Sequence, residues 1–127
     1  MIRGTTAQFK FKLPCTGKEL SSVSVVFWQN GNKNSSLPIK RVKDQCNIDD
    51  ESCYLYVSLD AAETMRFSDK LKAQVQLRGQ YGDTVFASRT QSITVYPIND
   101  EVIDAQYPDA NEEGWIILDG ETIGGDY

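Results

Sequence analysis

At 127 residues and 14.3 kDa the chain is long enough for one domain with a real core plus an appendage, and too short for two comfortable domains. It contains no histidine, which removes the usual general base, histidine-assisted Ser and Cys nucleophiles and histidine-containing zinc sites. Its net charge of −5 hides a sharp division: residues 1–97 hold all 13 Lys and Arg against 9 Asp and Glu, or +4, whereas residues 98–127 hold the other 9 acids and no base, or −9.

The opening MIRGTTAQFKFKLP lacks the apolar stretch of a signal peptide, and no apolar run approaches the ~20 residues that span a bilayer. The expectation is a protein made and kept in a cytoplasm, with no membrane partner. Strand periodicity then begins. Phe9, Phe11 and Leu13 alternate with Lys10 and Lys12, and Val23, Val25 and Phe27 alternate with Ser22, Ser24 and the pair Val26 and Trp28. Asn30-Gly31 reads as a hairpin turn. Leu55, Val57 and Leu59 alternate with Tyr54, Tyr56 and Ser58, and Leu71, Ala73, Val75 and Leu77 with Lys72, Gln74, Gln76 and Arg78.

Between these two strands lies one candidate helical turn, Asp60 to Phe67, with Asp60 as its cap and Met65 and Phe67 folding back onto the core. GQYGD, residues 79–83, forms another reversal, and Ile93 and Val95 repeat the pattern before Pro97 closes the series. About seven short strands, each with one apolar face, are buried only by two packed sheets or a barrel. The expected fold is all-β: an immunoglobulin-like antiparallel β-sandwich over residues 1–97, followed by an extended acidic arm over residues 98–127. Its expected core includes Phe9, Phe11, Val25, Phe27, Leu55, Val57, Val75, Leu77 and Val95.

The search for chemistry returns mostly negatives. Three cysteines, Cys15, Cys46 and Cys53, form no CxxC pair and leave one thiol over in any disulfide scheme. Cys46 and Cys53 flank the loop NIDDES and could bridge across a hairpin, although reduced, part-buried thiols are the simpler reading. GxGxxG and GxxxxGK[ST] are absent. Asp49-Asp50-Glu51 lacks the alternating spacing of a calcium loop and reads as a solvated hairpin tip. Asp119 and Glu121 lie in a glycine-flexed tail, where no glycosidase separation can be fixed. The expectation is a protein with no catalytic centre, cofactor or metal. A balance of +4 spread along the domain, without aromatic-interleaved basic motifs, also argues against a nucleic-acid partner.

Trp28, Tyr54 and Tyr56 fall on strand faces opposite the core positions, so an exposed aromatic stripe is expected there, able to meet another protein or to stack on a sugar. Alternatively the strand register differs from this assignment, or the acidic arm covers that face.

Several stretches of the first segment resemble small uncharacterised proteins encoded among the structural genes of tailed bacteriophages and prophages. These are the opening MIRGTT, the alternating F-K-F-K-L-P, the V-x-F-x-Q-N-G strand and turn, and the L-D-x-x-E-T-x-x-F segment ahead of KAQVQLR. The resemblance covers roughly residues 1–97 and carries no catalytic motif. It implies a virion component of head, neck or tail, located in the particle after synthesis in the host cytoplasm, whose partners are other virion structural proteins or further copies of itself.

That reading gives the apolar burst Trp115-Ile116-Ile117-Leu118 a use. Either it adds an edge strand to its own sandwich, or it reaches a neighbouring subunit by the same strand addition. Docking on a neighbour through Tyr107, Trp115, Ile116, Ile117 and Leu118, with Tyr127 closing the arm, is the expectation. Two competing classes stand beside it: a soluble adaptor displaying its aromatics to a glycan or host protein, and an inhibitor whose acidic arm mimics nucleic acid.

Overall fold

The computed structural model describes residues 1–97 and 116–119. Among the described residues nine strands carry the fold: β1 (Ala7–Lys12), β2 (Leu20–Trp28), β3 (Ile39–Val42), β4 (Asn47–Ile48), β5 (Tyr54–Leu59), β6 (Ala73–Tyr81), β7 (Thr84–Ala87), β8 (Gln91–Ile93) and β9 (Ile116–Asp119). One sheet runs β4-β5-β1-β9. The other runs β3-β2-β6-β7, with β8 on the same edge of β6 as β7. All pairings between these strands are antiparallel except β1 with β9, which is parallel. The inner faces meet at Phe9 and Phe27, whose ring centroids lie 4.9 Å apart.

Alternation explains which side chains point inward. Along β1, Ala7, Phe9 and Phe11 are buried while Gln8, Lys10 and Lys12 are not, the period-2 pattern of a strand with one wet face. The nine core positions expected from the sequence are all buried. In β2 the inward positions are Leu20, Val23, Val25 and Phe27, and the skipped interval has a local cause. Leu20 faces Tyr81 but Ser22 faces Gln80, so Ser21 is an extra residue, a β-bulge that shifts the alternation by one.

Three strand and turn expectations shift. Leu71 precedes β6 and is 37% exposed, so the inward run starts at Ala73. Asn30-Gly31 lies within a ten-residue connection from β2 to β3, with Gly31 at φ 87°, and does not form a two-residue hairpin. The reversal expected across residues 79–83 narrows to Gly82-Asp83, because β6 continues through Tyr81, which pairs with Thr84; Gly82 supplies φ 54°.

The crossing from β5 to β6 is built around the single turn α1 (Ala61–Thr64). The Asp60 carboxylate accepts from the Glu63 amide at 2.7 Å, and Glu63 Oε1 accepts from the Asp60 amide at 3.0 Å, a reciprocal capping box. Phe67 does fold back and is fully buried, whereas Met65 is 46% exposed. Two buried polar side chains anchor this crossing. Thr64 Oγ1 accepts from the Gly4 amide at 3.0 Å and donates to Thr5 O at 2.7 Å. Gln29, 5% exposed, donates to Ser68 O and Leu71 O and accepts from the Ser68 amide and from Asn32. Asp60→Ala should remove one cap bond and lower unfolding free energy by about 1 kcal/mol in a denaturant titration.

Ser88 fills the break between β7 and β8. Its amide donates to Leu77 O at 2.8 Å and its hydroxyl accepts from the Leu77 amide at 3.0 Å, completing the ladder along β6 where neither short strand reaches. With Ser88 at 0% exposure, Ser88→Ala strands a buried N–H. The expected loss is about 1–3 kcal/mol, readable as a lower denaturant midpoint at unchanged m-value.

Candidate functional site

The residues expected to form one aromatic stripe fall on two surfaces. Tyr54 and Tyr56 belong to β5, on the outer face of the β4-β5-β1-β9 sheet. Trp28 ends β2, on the outer face of the other sheet, where it is registered with Gln74. Nothing in the local alternation could reveal this, because both strands show the same pattern and differ only in which sheet they join.

On the first outer face, strand register sets two neighbouring rows beyond the pair Gln8 and Ser58. Tyr56, Lys10 and Ile117 lie level with one another, and next to them Tyr54, Lys12 and Asp119. The Lys10 ammonium stands 4.3 Å from the Tyr54 ring centroid and 5.7 Å from that of Tyr56, within reach of a cation–π contact. Ile117 is 53% exposed beside them. The result is a strip with an aromatic–basic centre and one exposed apolar side chain, Ile117, at its rim.

The second outer face is different in kind. Its rows are Trp28, Gln74 and Ser92; Lys40, Val26 and Gln76; Val42, Ser24, Arg78 and Ala87; and Ser22, Gln80 and Val85. Short Ser22 and Ser24 leave a concavity of about 240 Å³ bounded by Arg78, Gln80 and Val85. Val85 is 68% exposed. No carboxylate occurs at these strand positions, and the two charges, Lys40 and Arg78, are both basic.

The edge of the first sheet is the third surface. β1 pairs with β5 on one side and β9 on the other, Phe9 lying level with Ile116 and Phe11 with Leu118. Ile116 and Leu118, expected to dock on a neighbour, lie in this chain's own core at 5% and 8% exposure, and of the three apolar residues described here only Ile117 faces outward. Tyr107, Trp115 and Tyr127 lie outside the described residues.

Among the described residues no group of three or more His, Cys, Asp or Glu could hold a metal ion. The three cysteines are free. The register Asn47↔Tyr56 and Ile48↔Leu55 runs Cys46 toward the level of Val57, four residues along the strand from Cys53, so these two do not face each other. Burial pushes the Cys46 thiol up to about 11, with Arg41 pulling weakly the other way, and burial, then Glu19 and Cys53, raises that of Cys15. Compared with an ordinary thiol at 9.0, Cys46 should hold about a hundredfold less thiolate at pH 8 and alkylate correspondingly slowly, as mass spectrometry after timed iodoacetamide treatment would read. The Glu63 carboxylate is committed to its capping box and an ion pair with Arg41.

Compared with known proteins, the chain matches no family model and no curated protein.

Proposed function

We propose that the chain is a non-enzymatic structural component of a tailed-phage virion, built as an immunoglobulin-like sandwich and joined to neighbouring subunits through its sandwich and its acidic arm. Strand order supports the immunoglobulin-like reading. In that architecture strands A-B-E-D form one sheet and G-F-C, extended by C′, the other. Taking β1 as B, β2 as C, β3 as C′, β4 as D, β5 as E, β6 as F and β7 with β8 as G satisfies the chain order and both sheet orders. β9 then occupies the place of strand A beside B, although it runs parallel to β1. The antibody hallmarks are missing: Trp28 on strand C faces outward and the cysteines are free.

The observation that carries the assembly reading is β9 itself. An apolar strand, set in a segment with nine acids and no base, closes the exposed edge of a sheet. Strand addition of this kind is a general means of joining subunits, because backbone hydrogen bonds supply affinity and alternate side chains supply register. The resemblance of residues 1–97 to phage structural proteins names the setting.

The test is incorporation. A chain ending at Asn99 should fold but fail to enter particles, and neutralising Asp109, Glu112 and Glu113 should slow association chiefly at low salt, where screening is weak. Equal incorporation of the shortened and intact chains would reduce the arm to a solubilising tail.

The alternative, a soluble adaptor for a glycan or host protein, draws on Tyr54 and Tyr56. It is the weaker reading because the Lys10 ammonium already stands over the Tyr54 ring that a sugar would need. Glycan binding abolished by Tyr54→Ala would favour it.

A further inference from the structure

We propose that β9 is an exchangeable strand, docked on its own β1 in the isolated chain and on the β1 of a second copy when copies are concentrated. This deepens the assembly reading above and rests on it for the role of the arm; what it adds is the partner and the register.

The geometry makes the two dockings equivalent. β9 is held through one neighbour, β1, at the end of its sheet, and the contacts that hold it are the ladder Phe9↔Ile116 to Lys12↔Asp119 and the burial of Ile116 and Leu118. A second copy offers the same β1 edge with the same residues, so strand contacts do not discriminate between them. Chain length does not discriminate either. Residues 98–115 give 18 residues between the domain and the strand. Such a segment extends up to about 60 Å, more than the width of a domain whose radius of gyration is about 13 Å.

Two further features bear on the exchange. Residues 98–115 carry six carboxylates and no base, while residues 1–97 carry a balance of +4, so a neighbour's domain attracts the segment as the chain's own domain does, and charge does not hold the strand at home. The vacated edge would also be costly to expose, because the fully buried Phe9 and Phe11 lie in the strand that β9 covers. A self-docked strand protects that edge until another copy supplies its own. The balance between the two is set by concentration, since a tethered strand competes at an effective concentration in the millimolar range.

Disulfide trapping in the full-length chain separates the outcomes. With Cys15→Ala, Cys46→Ser and Cys53→Ser as background, one chain carries Lys10→Cys and another Ile117→Cys, positions level with each other on the outer face. Mixed and mildly oxidised, these two chains can join at that register only if β9 has crossed between copies. The expected result is a cross-linked heterodimer whose fraction rises about tenfold for each tenfold rise in concentration below the millimolar range. A chain carrying both substitutions should close on itself at low concentration. Intramolecular closure with no heterodimer up to about millimolar concentration would overturn the proposal.

Sedimentation of the unmodified chain guards against a background that does not fold. Concentration-dependent dimers, lost on Ile116→Asp with Leu118→Asp, support exchange, and a strictly monomeric chain refutes it. The assembly reading is judged separately: if deleting the arm abolishes incorporation into particles while no exchange is trapped, the arm serves assembly through another partner and only the exchange fails.

Discussion

Leu77→Asp should leave no folded domain at 25 °C. Leu77 is fully buried on β6, the strand that joins β2 along one edge and β7 and β8 along the other. Its side chain points between the sheets, level with Val25, and its backbone is bonded to Ser88. A carboxylate there enters an apolar layer; the nearby inward-lying cation on the same sheet, Arg41, is already paired with Glu63. An unpaired buried charge costs several kcal/mol even after relaxation, and removal of the leucine adds about 2–5 kcal/mol in lost burial and packing. Against a total stability of about 5–15 kcal/mol, the sum removes the native state. The adjacent Arg78→Asp provides the contrast, because residue 78 is exposed on the outer face and a change there should stay within about 0.5 kcal/mol. Far-UV circular dichroism and limited proteolysis of the two variants would check both; a cooperative thermal transition retained by Leu77→Asp would mean that this core position is misassigned.

This contrast between adjacent residues also shows why so much of the sheet framework was legible. A strand with one buried face writes its orientation in every second residue, and a slip by one would turn Phe9, Phe11, Val75 and Leu77 outward together. The strands β1, β2, β5 and β6 are long enough to repeat the pattern three or four times. β3 and β4 have four and two residues, too few for alternation to stand out from chance. Leu20 escapes the alternation because the bulge at Ser21 changes its spacing from Val23, and Met65 faces solvent against expectation because one helical turn is too short for its period to assign a face.

The candidate surfaces were less legible, and for a physical reason. Which sheet a strand joins is fixed by pairings between distant residues, so Trp28 and the pair Tyr54 and Tyr56 look alike in sequence yet face opposite ways. The same holds for the thiols: Cys46 and Cys53 flank one loop, but register, not proximity in sequence, decides what faces what. In Ile116-Ile117-Leu118 the period of a strand is present but hidden, because the outward residue is as apolar as the inward two. An exposed isoleucine between buried ones is the mark of a strip with a wet face that still favours contact, which is how Ile117 comes to stand beside Tyr56 and Lys10.

Ile116→Asp with Leu118→Asp should detach β9 while leaving the sandwich folded, in contrast to Leu77→Asp. The two side chains bury enough surface to contribute about 3–6 kcal/mol together, and the edge hydrogen bonds add about 0.5–1.5 kcal/mol each. Fixing the four residues of the strand opposes this by about 4–8 kcal/mol. Docking therefore rests on a net of a few kcal/mol, and that is the most its loss can remove from the domain. The expected result is a fall of about 1–4 kcal/mol, or about 10 °C in Tm, with the transition still cooperative. Amide exchange should localise the change. Protection should fall along the β1 edge that faces β9 and persist between β2 and β6, since strands at a sheet's rim open with far less free energy than its centre. Global unfolding by the double substitution would show that β9 is integral to the core, and it would leave no room for a strand that is docked in one chain and offered to the next.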